Sequence, residues 1–240
     1  MPIHRVIALG LAAGLLAGCA ASSPPPHRVA TYVSPALSGN PPARIVVVPF
    51  ASPANSPEAG PIATQAVARA MQGALCCDLL SPAPGDERLA AESALSQRGR
   101  VDVQSLIAAQ KAYLADAFLF GSVTQYKPYD PPVLGVKLRL LSARTGDLIW
   151  AADALFDSHE ADVRSLAGRY YENSGLKDRL YGPELVLMSP ALYAGFVASE
   201  MVRPLAGQLQ REGRHCAPGK SALSPVRPQG RDAGNGQGNS

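Results

Sequence analysis

Residue types that commonly perform catalysis are sparse in the central part of this chain. Of the four histidines, His4, His27 and His215 lie toward the two ends, which leaves His159 alone in the middle of the sequence. The stretch His-Glu-Ala-Asp at 159–162 lacks the second histidine, four residues on, that a zinc-binding helix requires. We therefore interpret His159 as a solvated helix start, and we expect no metal site.

Two carboxylates, Asp153 and Asp157, alternate on the outward side of a predicted strand, where they are candidates for an acid and base pair. Carboxylates beside Lys137 and Arg139 are more typical of an ordinary charged surface. The chain has no Gly-x-Ser-x-Gly motif and no glycine loop that would hold a phosphate. We expect a protein that is not an enzyme, with no catalytic residue and no cofactor.

The first cysteine lies in a pattern typical of export and lipid attachment. Arg5 precedes an uninterrupted apolar run over residues 6–17, and Gly18 and Cys19 follow. The stretch Leu-Ala-Gly-Cys at 16–19 resembles the lipobox of bacterial lipoproteins. That resemblance implies a signal peptide over residues 1–18, cleavage between Gly18 and Cys19, and acyl chains on Cys19 that hold the protein to a membrane. Ala20 stands where an aspartate commonly retains such proteins in the inner membrane, which implies the periplasmic face of the outer membrane.

The other three cysteines would then lie in an oxidising compartment. A bridge between the adjacent Cys76 and Cys77 requires a distorted ring, so we expect one of them to pair with Cys216. The candidate pair is Cys77 with Cys216, and the spacing leaves Cys76 open as the alternative. No Cys-x-x-Cys spacing occurs, which disfavours a redox motif or a zinc knuckle.

Composition divides the chain and excludes several classes of protein. The net charge is only +3, and the sequence has no basic stripe that would bind a nucleic acid. No second long apolar run follows the first, which excludes a polytopic membrane protein. Gly and Pro are about twice as frequent in residues 20–42 and 213–240 as in the stretch between them. We therefore predict a lipidated Cys and Pro-rich tether over 19–42, a folded domain over 43–212 and a disordered tail over 213–240.

The predicted domain is of the α/β class. A β-branched run at 44–50, the alternation over 134–140 and the Gly146 turn predict strands and a tight hairpin. Together the patterns predict a mixed sheet of about five strands in the order β-α-β-α-β-β-β-α. The last three strands form an antiparallel meander, and a C-terminal helix from Pro190 packs on the sheet.

Three motifs in this order carry a further resemblance: Ile-Val-Val-Val-Pro-Phe (45–50), Ala-Asp-Ala-Phe-Leu-Phe-Gly-Ser-Val-Thr-Gln-Tyr (115–126) and Arg-Thr-Gly-Asp-Leu-Ile-Trp (144–150). They resemble envelope lipoproteins related to the curli secretion subunit CsgG, whose α/β domain is also similar to the TolB N-terminal domain and to LpoB. The resemblance implies a non-enzymatic binding or adaptor module for another envelope component. The alternative is an oligomeric subunit of a CsgG-like secretion or transport assembly.

Tyrosines near loops are the candidate surface for a protein partner. They are Tyr126, Tyr129, Tyr170 and Tyr171. Tyrosine buries a large area at little cost in side-chain entropy, which is why it is common at interfaces. The alternative is that these rings cap the edge of the sheet.

Overall fold

The computed structural model describes residues 29–82, 103–176 and 180–211. The strands are β1 (Ala30–Val33), β2 (Arg44–Val47), β3 (Asp78–Leu80), β4 (Ala117–Lys127), β5 (Val133–Ser142) and β6 (Leu148–Asp157). The helices are α1 (Pro35–Gly39), α2 (Ala59–Ala74), α3 (Val103–Tyr113), α4 (Ala161–Asn173), α5 (Glu184–Met188) and α6 (Pro190–Arg211).

The six strands form one mixed sheet in the order β1-β6-β5-β4-β2-β3. Strands β4, β5 and β6 are successive antiparallel neighbours, while β2 runs parallel to both β3 and β4. Parallel neighbours require a crossover, and α2 supplies it between β2 and β3. The predicted α/β class, mixed sheet and meander are confirmed, and the sheet has one strand more than the five that we predicted.

The main core lies on the face of the sheet that α2, α4, α5 and α6 cover. Alternation along β5 turns Leu134, Val136, Leu138 and Leu140 into this layer. Trp150 of β6 lies in the same layer and is fully buried. Pro204 lies within α6, which nevertheless runs unbroken to Arg211.

Gly121, in the second of the three sequence motifs, is explained by this packing. A Cβ on Gly121 would lie 2.5 Å from the ring of Phe50. Because a real Cβ cannot approach a ring that closely, only glycine lets Phe50 close over β4 at this point.

The opposite face of the sheet is covered only in part. A second core forms between α3 and the start of β4, where Phe118 and Phe120 are buried with Tyr113. Farther along the sheet this face is open, and Lys137 on β5 pairs with Asp153 on β6 at 3.1 Å. Tyr32 and Leu155 are about half exposed there.

The folded part begins earlier than the sequence predicts, which corrects the tether boundary at residue 42. Strand β1 pairs with β6, from Ala30 opposite Asp153 to Val33 opposite Trp150. Ser34 then caps α1 through its hydroxyl, and Leu37 is completely buried. Four strand residues among prolines carry too little periodicity to be recognised, and Pro35 starts α1 because its missing N–H is not needed at the first helical position. The predicted signal peptide (1–18) and tail (213–240) lie outside the described residues.

The long strands give the domain two distinct ends. The Tyr129 end comprises the connection between β4 and β5 (residues 128–132) and the end of β6. The Arg144 end comprises the turn between β5 and β6 (residues 143–147) and the start of β4. A strand of ten residues spans roughly 33 Å, which sets the separation between these two ends.

Candidate functional site

Two of the predicted partner-surface tyrosines lie at the Tyr129 end. Tyr129 is 74% exposed in the connection between β4 and β5. Tyr126, near the end of β4, is half-buried against the main core. Burial raises the pKa of Tyr126, and the nearby charges of Glu58 and Tyr129 raise it further. Tyr126 therefore supports the base of the connection while Tyr129 projects from it.

The other two predicted tyrosines belong to the packing of α4. Tyr171 is buried, with 6% of its surface exposed, so assigning it to a partner surface was wrong. Tyr170 packs against Phe196 of α6, with ring centroids 6.0 Å apart, and burial raises its pKa. The reason is helical phase: Val163 and Leu166 define the inward side of α4, and positions 170 and 171 continue that side one turn later.

Asp153 and Asp157 have separate partners. Asp153 pairs with Lys137, as described above. Oδ1 of Asp157 accepts the backbone N–H of His159 at 2.9 Å, and Nδ1 of the His159 ring lies 2.9 Å from the same oxygen. That backbone N–H is the main reason that the pKa of Asp157 lies below its usual value. Four strand positions, roughly 13 Å, separate the two carboxylates, so they do not form a pair around one reacting bond.

The structure assigns the disulfide to a different cysteine from the one in the candidate pair. Cys76, not Cys77, forms a disulfide, which corrects the choice of Cys77. Leu75 is buried and Cys77 is partly buried against the main core, whereas Cys76, which lies between them, is exposed. Cys216, the predicted partner, lies outside the described residues.

A polar cleft of about 470 Å³ at the Arg144 end was not predicted from the sequence. Three segments converge on it: the linker after α1, the end of α3, and the turn between β5 and β6. Its polar side chains include Asn40, Gln110, Asp116, Arg144 and Asp147. The volume is within the range of small-molecule sites, about 300–1,000 Å³. The only sequence signals were Asp116 just before a strand and the Arg-Thr-Gly-Asp turn.

The predicted lipid-attachment site, Cys19, lies outside the described residues. The first described residue is Val29, which is partly buried against the main core. Within the ranges that the structure describes, no helix is long and apolar enough to cross a membrane.

No family model and no curated protein matches this chain. Among solved structures, PelC from Paraburkholderia phytofirmans, crystallised as a dodecamer, is 17% identical; the match covers 74% of this chain and 98% of PelC, with a TM-score of 0.46. Lipoprotein GNA1162 from Neisseria meningitidis is 19% identical over 58% of this chain and 100% of its own, with a TM-score of 0.35. The LpoB C-terminal domain from Salmonella enterica is 16% identical over 48% of this chain and 82% of its own, with a TM-score of 0.34. These values do not establish a family.

Proposed function

We propose that this chain is a lipid-anchored, non-enzymatic module on the periplasmic face of the outer membrane. It binds another envelope protein through the Tyr129 end. The lipobox-like residues 16–19 support the anchor, and Ala20 supports the outer membrane. The separate polar partners of Asp153 and Asp157 disfavour an acid and base pair, since neither carboxylate faces the other.

The early start of the fold limits the distance between the domain and the membrane. Ten peptide units join Cys19 to Val29, and a chain of that length spans at most roughly 36 Å. A tether that ended at residue 42 would be more than twice as long. The domain is therefore held close to the lipid surface.

The direction of β1 bears on which end of the domain lies nearer the membrane. Because β1 is antiparallel to β6, it runs toward the Arg144 end, and Val29 lies on the side of Ala30 that faces the Tyr129 end. The chain accordingly enters the sheet from the Tyr129 side, and the proposal takes this end to be the one nearer the anchor. A partner bound there would lie at or near the membrane.

The single observation that carries the proposal is the exposure of Tyr129. A tyrosine that is 74% exposed, beside the exposed Lys127 and above the supporting Tyr126, offers a large contact area together with a hydroxyl. Tyrosines that become buried when a partner binds dominate the binding energy of many interfaces.

A photoreactive amino acid at position 129 tests the proposal in intact cells. We expect a crosslink to a distinct envelope protein from position 129 and none from position 32, the matched control. Tyr32 is also an exposed tyrosine, at 50%, but it lies on the open face of the sheet. Tyr129→Ala should abolish co-purification of the crosslinked protein, whereas Tyr32→Ala should not.

The same experiment separates the alternatives. A crosslink from position 129 to a second copy, together with a ring of many subunits in detergent, would favour the oligomeric secretion subunit over the adaptor.

Cys19→Ser should release the protein from membranes, and continued membrane association would contradict the anchor. A hydrolytic activity lost in folded Asp153→Asn or Asp157→Asn variants would overturn the non-enzymatic assignment.

A further inference from the structure

The cleft at the Arg144 end has a floor that backbone hydrogen bonds hold in place. The carboxylate of Asp116 accepts the backbone N–H groups of Ala43 and Arg44 at 3.0 and 2.9 Å. The backbone of Asp116 also donates to the carbonyl of Arg44 at 2.9 Å and accepts from Ala143 at 2.8 Å. One residue therefore joins the linker after α1 to the turn between β5 and β6.

The turn that forms one wall is ordered by its own hydroxyl groups. The N–H of Thr145 donates to the hydroxyl of Ser142, and the N–H of Asp147 donates to the hydroxyl of Thr145, each at 3.3 Å. Gly146 has φ 76°, which glycine adopts without strain. The turn thereby keeps a defined shape and presents Arg144 and Asp147, both exposed, at the rim of the cleft.

Charged side chains of both signs line this cleft: Asp116 and Asp147 are acidic, and Arg144 is basic. Two N–H groups donate to one oxygen of the Asp116 carboxylate, which offsets part of its charge. Arg144 and Asp147 carry opposite charges, and neither forms an ion pair within the described part of the chain. A ligand with a strong net charge of either sign would be attracted by one of these side chains and repelled by another, so the mixture of charges favours a neutral ligand.

The remaining side chains combine planar polar groups with an apolar surface. The amides of Asn40 and Gln110 each offer donors and acceptors, and the guanidinium of Arg144 offers a fork of donors. Pro41 and Ile149 supply apolar surface.

We infer that this cleft binds a neutral oligosaccharide. Adjacent hydroxyl groups of a sugar both donate and accept, which matches the amides, the guanidinium and the carboxylate of Asp147. The C–H face of the sugar ring matches Pro41 and Ile149. The site goes beyond the proposed protein partner, because it lies at the other end of the domain and shares no residue with the Tyr129 surface.

Isothermal titration with the full-length, detergent-solubilised protein tests this inference, with chitotriose and maltotriose as probes. We expect at least one of the two to bind, and saturation-transfer NMR should show contact with the sugar C–H groups. Arg144→Ala and Asp147→Asn should each weaken binding about tenfold or more, as is typical when a hydrogen bond to a charged group is lost. Arg169→Ala, which removes an exposed arginine of α4, is the matched control and should leave binding unchanged.

Three results would overturn the inference. The first is that neither sugar binds the folded protein. The second is that binding is the same in the Arg144 and Asp147 variants, whose unfolding midpoints should match that of the unchanged chain because both side chains are exposed. The third is that inorganic phosphate or trialanine binds more tightly than either sugar and depends on the same two residues. The Tyr129→Ala variant should bind sugar normally, so failure of the protein-partner proposal would be seen separately.

Discussion

Replacing Leu37 with alanine tests whether residues 35–39 belong to the fold. Leu37 is completely buried, and with Ile45, Leu140 and Leu205 it lines a small apolar pocket. These neighbours belong to β2, β5 and α6, so they are held from three directions and cannot close around a cavity. Buried Leu→Ala changes cost about 2–5 kcal/mol, and a site that cannot collapse lies in the upper part of that range, at about 3–4 kcal/mol.

Urea unfolding followed by far-UV circular dichroism measures this loss. For a domain of this size we expect the melting temperature to fall by roughly 6–16 °C as well. Ser38→Ala is the matched control, since Ser38 is exposed in the same short helix. A loss below about 0.5 kcal/mol, the usual limit for surface changes, would mean that α1 is part of the spacer after all. The short distance between domain and membrane would then have no basis.

Three further predictions concern a disulfide, the end of a helix and a carboxylate. Cys76→Ser and Cys216→Ser should each lower the free energy of unfolding by about 2–5 kcal/mol under non-reducing conditions. The double variant should lose no more stability than either single variant. Additive losses would show that these residues are not partners. Leu114→Gly should raise the free energy of unfolding by about 0.5–1 kcal/mol. Leu114 follows the end of α3, is 70% exposed, and has φ 51°, a left-handed conformation in which glycine is unstrained. An unchanged or lower urea midpoint would contradict this. The backbone N–H of His159 lowers the pKa of Asp157, so this carboxylate stabilises the fold above its unfolded pKa. The contribution is lost as the pH falls through the folded pKa, below about pH 4. In acid titrations, Asp157→Asn should therefore show a shallower loss of stability than the unchanged chain, and an identical profile would refute the assignment.

Local patterns predicted the central elements of the fold because their physical cause is local. The β-branched run before Pro49 forms β2, and the alternation over 134–140 buries one side of β5. The turn at Gly146 needs a positive φ, which the residue type alone indicates. Strand β1 escaped prediction because only its pairing with β6 stabilises it, and that pairing depends on residues about 120 positions away.

The candidate sites were predicted less well, for a related reason. The phase of α4 decides that Tyr171 is buried, and tyrosine content alone does not give that phase. Packing after α2 decides between Cys76 and Cys77, because Cys77 lies against the main core and Cys76 does not, and two adjacent cysteines carry no sequence signal of that difference. The cleft combines Asn40, Gln110 and Arg144, which the chain brings together only when the sheet forms.

The two proposed surfaces are physically independent, and this has a testable consequence for how the protein works. The Tyr129 end and the Arg144 end share strands β4 and β5 but no side chain, and roughly 33 Å of strand separates them. Sites so far apart, with no shared contact, usually contribute additively. With the anchor that we propose at Cys19, a tether of at most roughly 36 Å keeps the domain near the lipid, and the cleft opens at the end of the sheet opposite Tyr129. On these two proposals, the domain would bind a membrane-proximal protein and a sugar at the same time, which would link the membrane to a glycan without any conformational switch. If sugar binding instead altered crosslinking from position 129, the sheet would have to transmit that change, and the two sites could not be treated as independent.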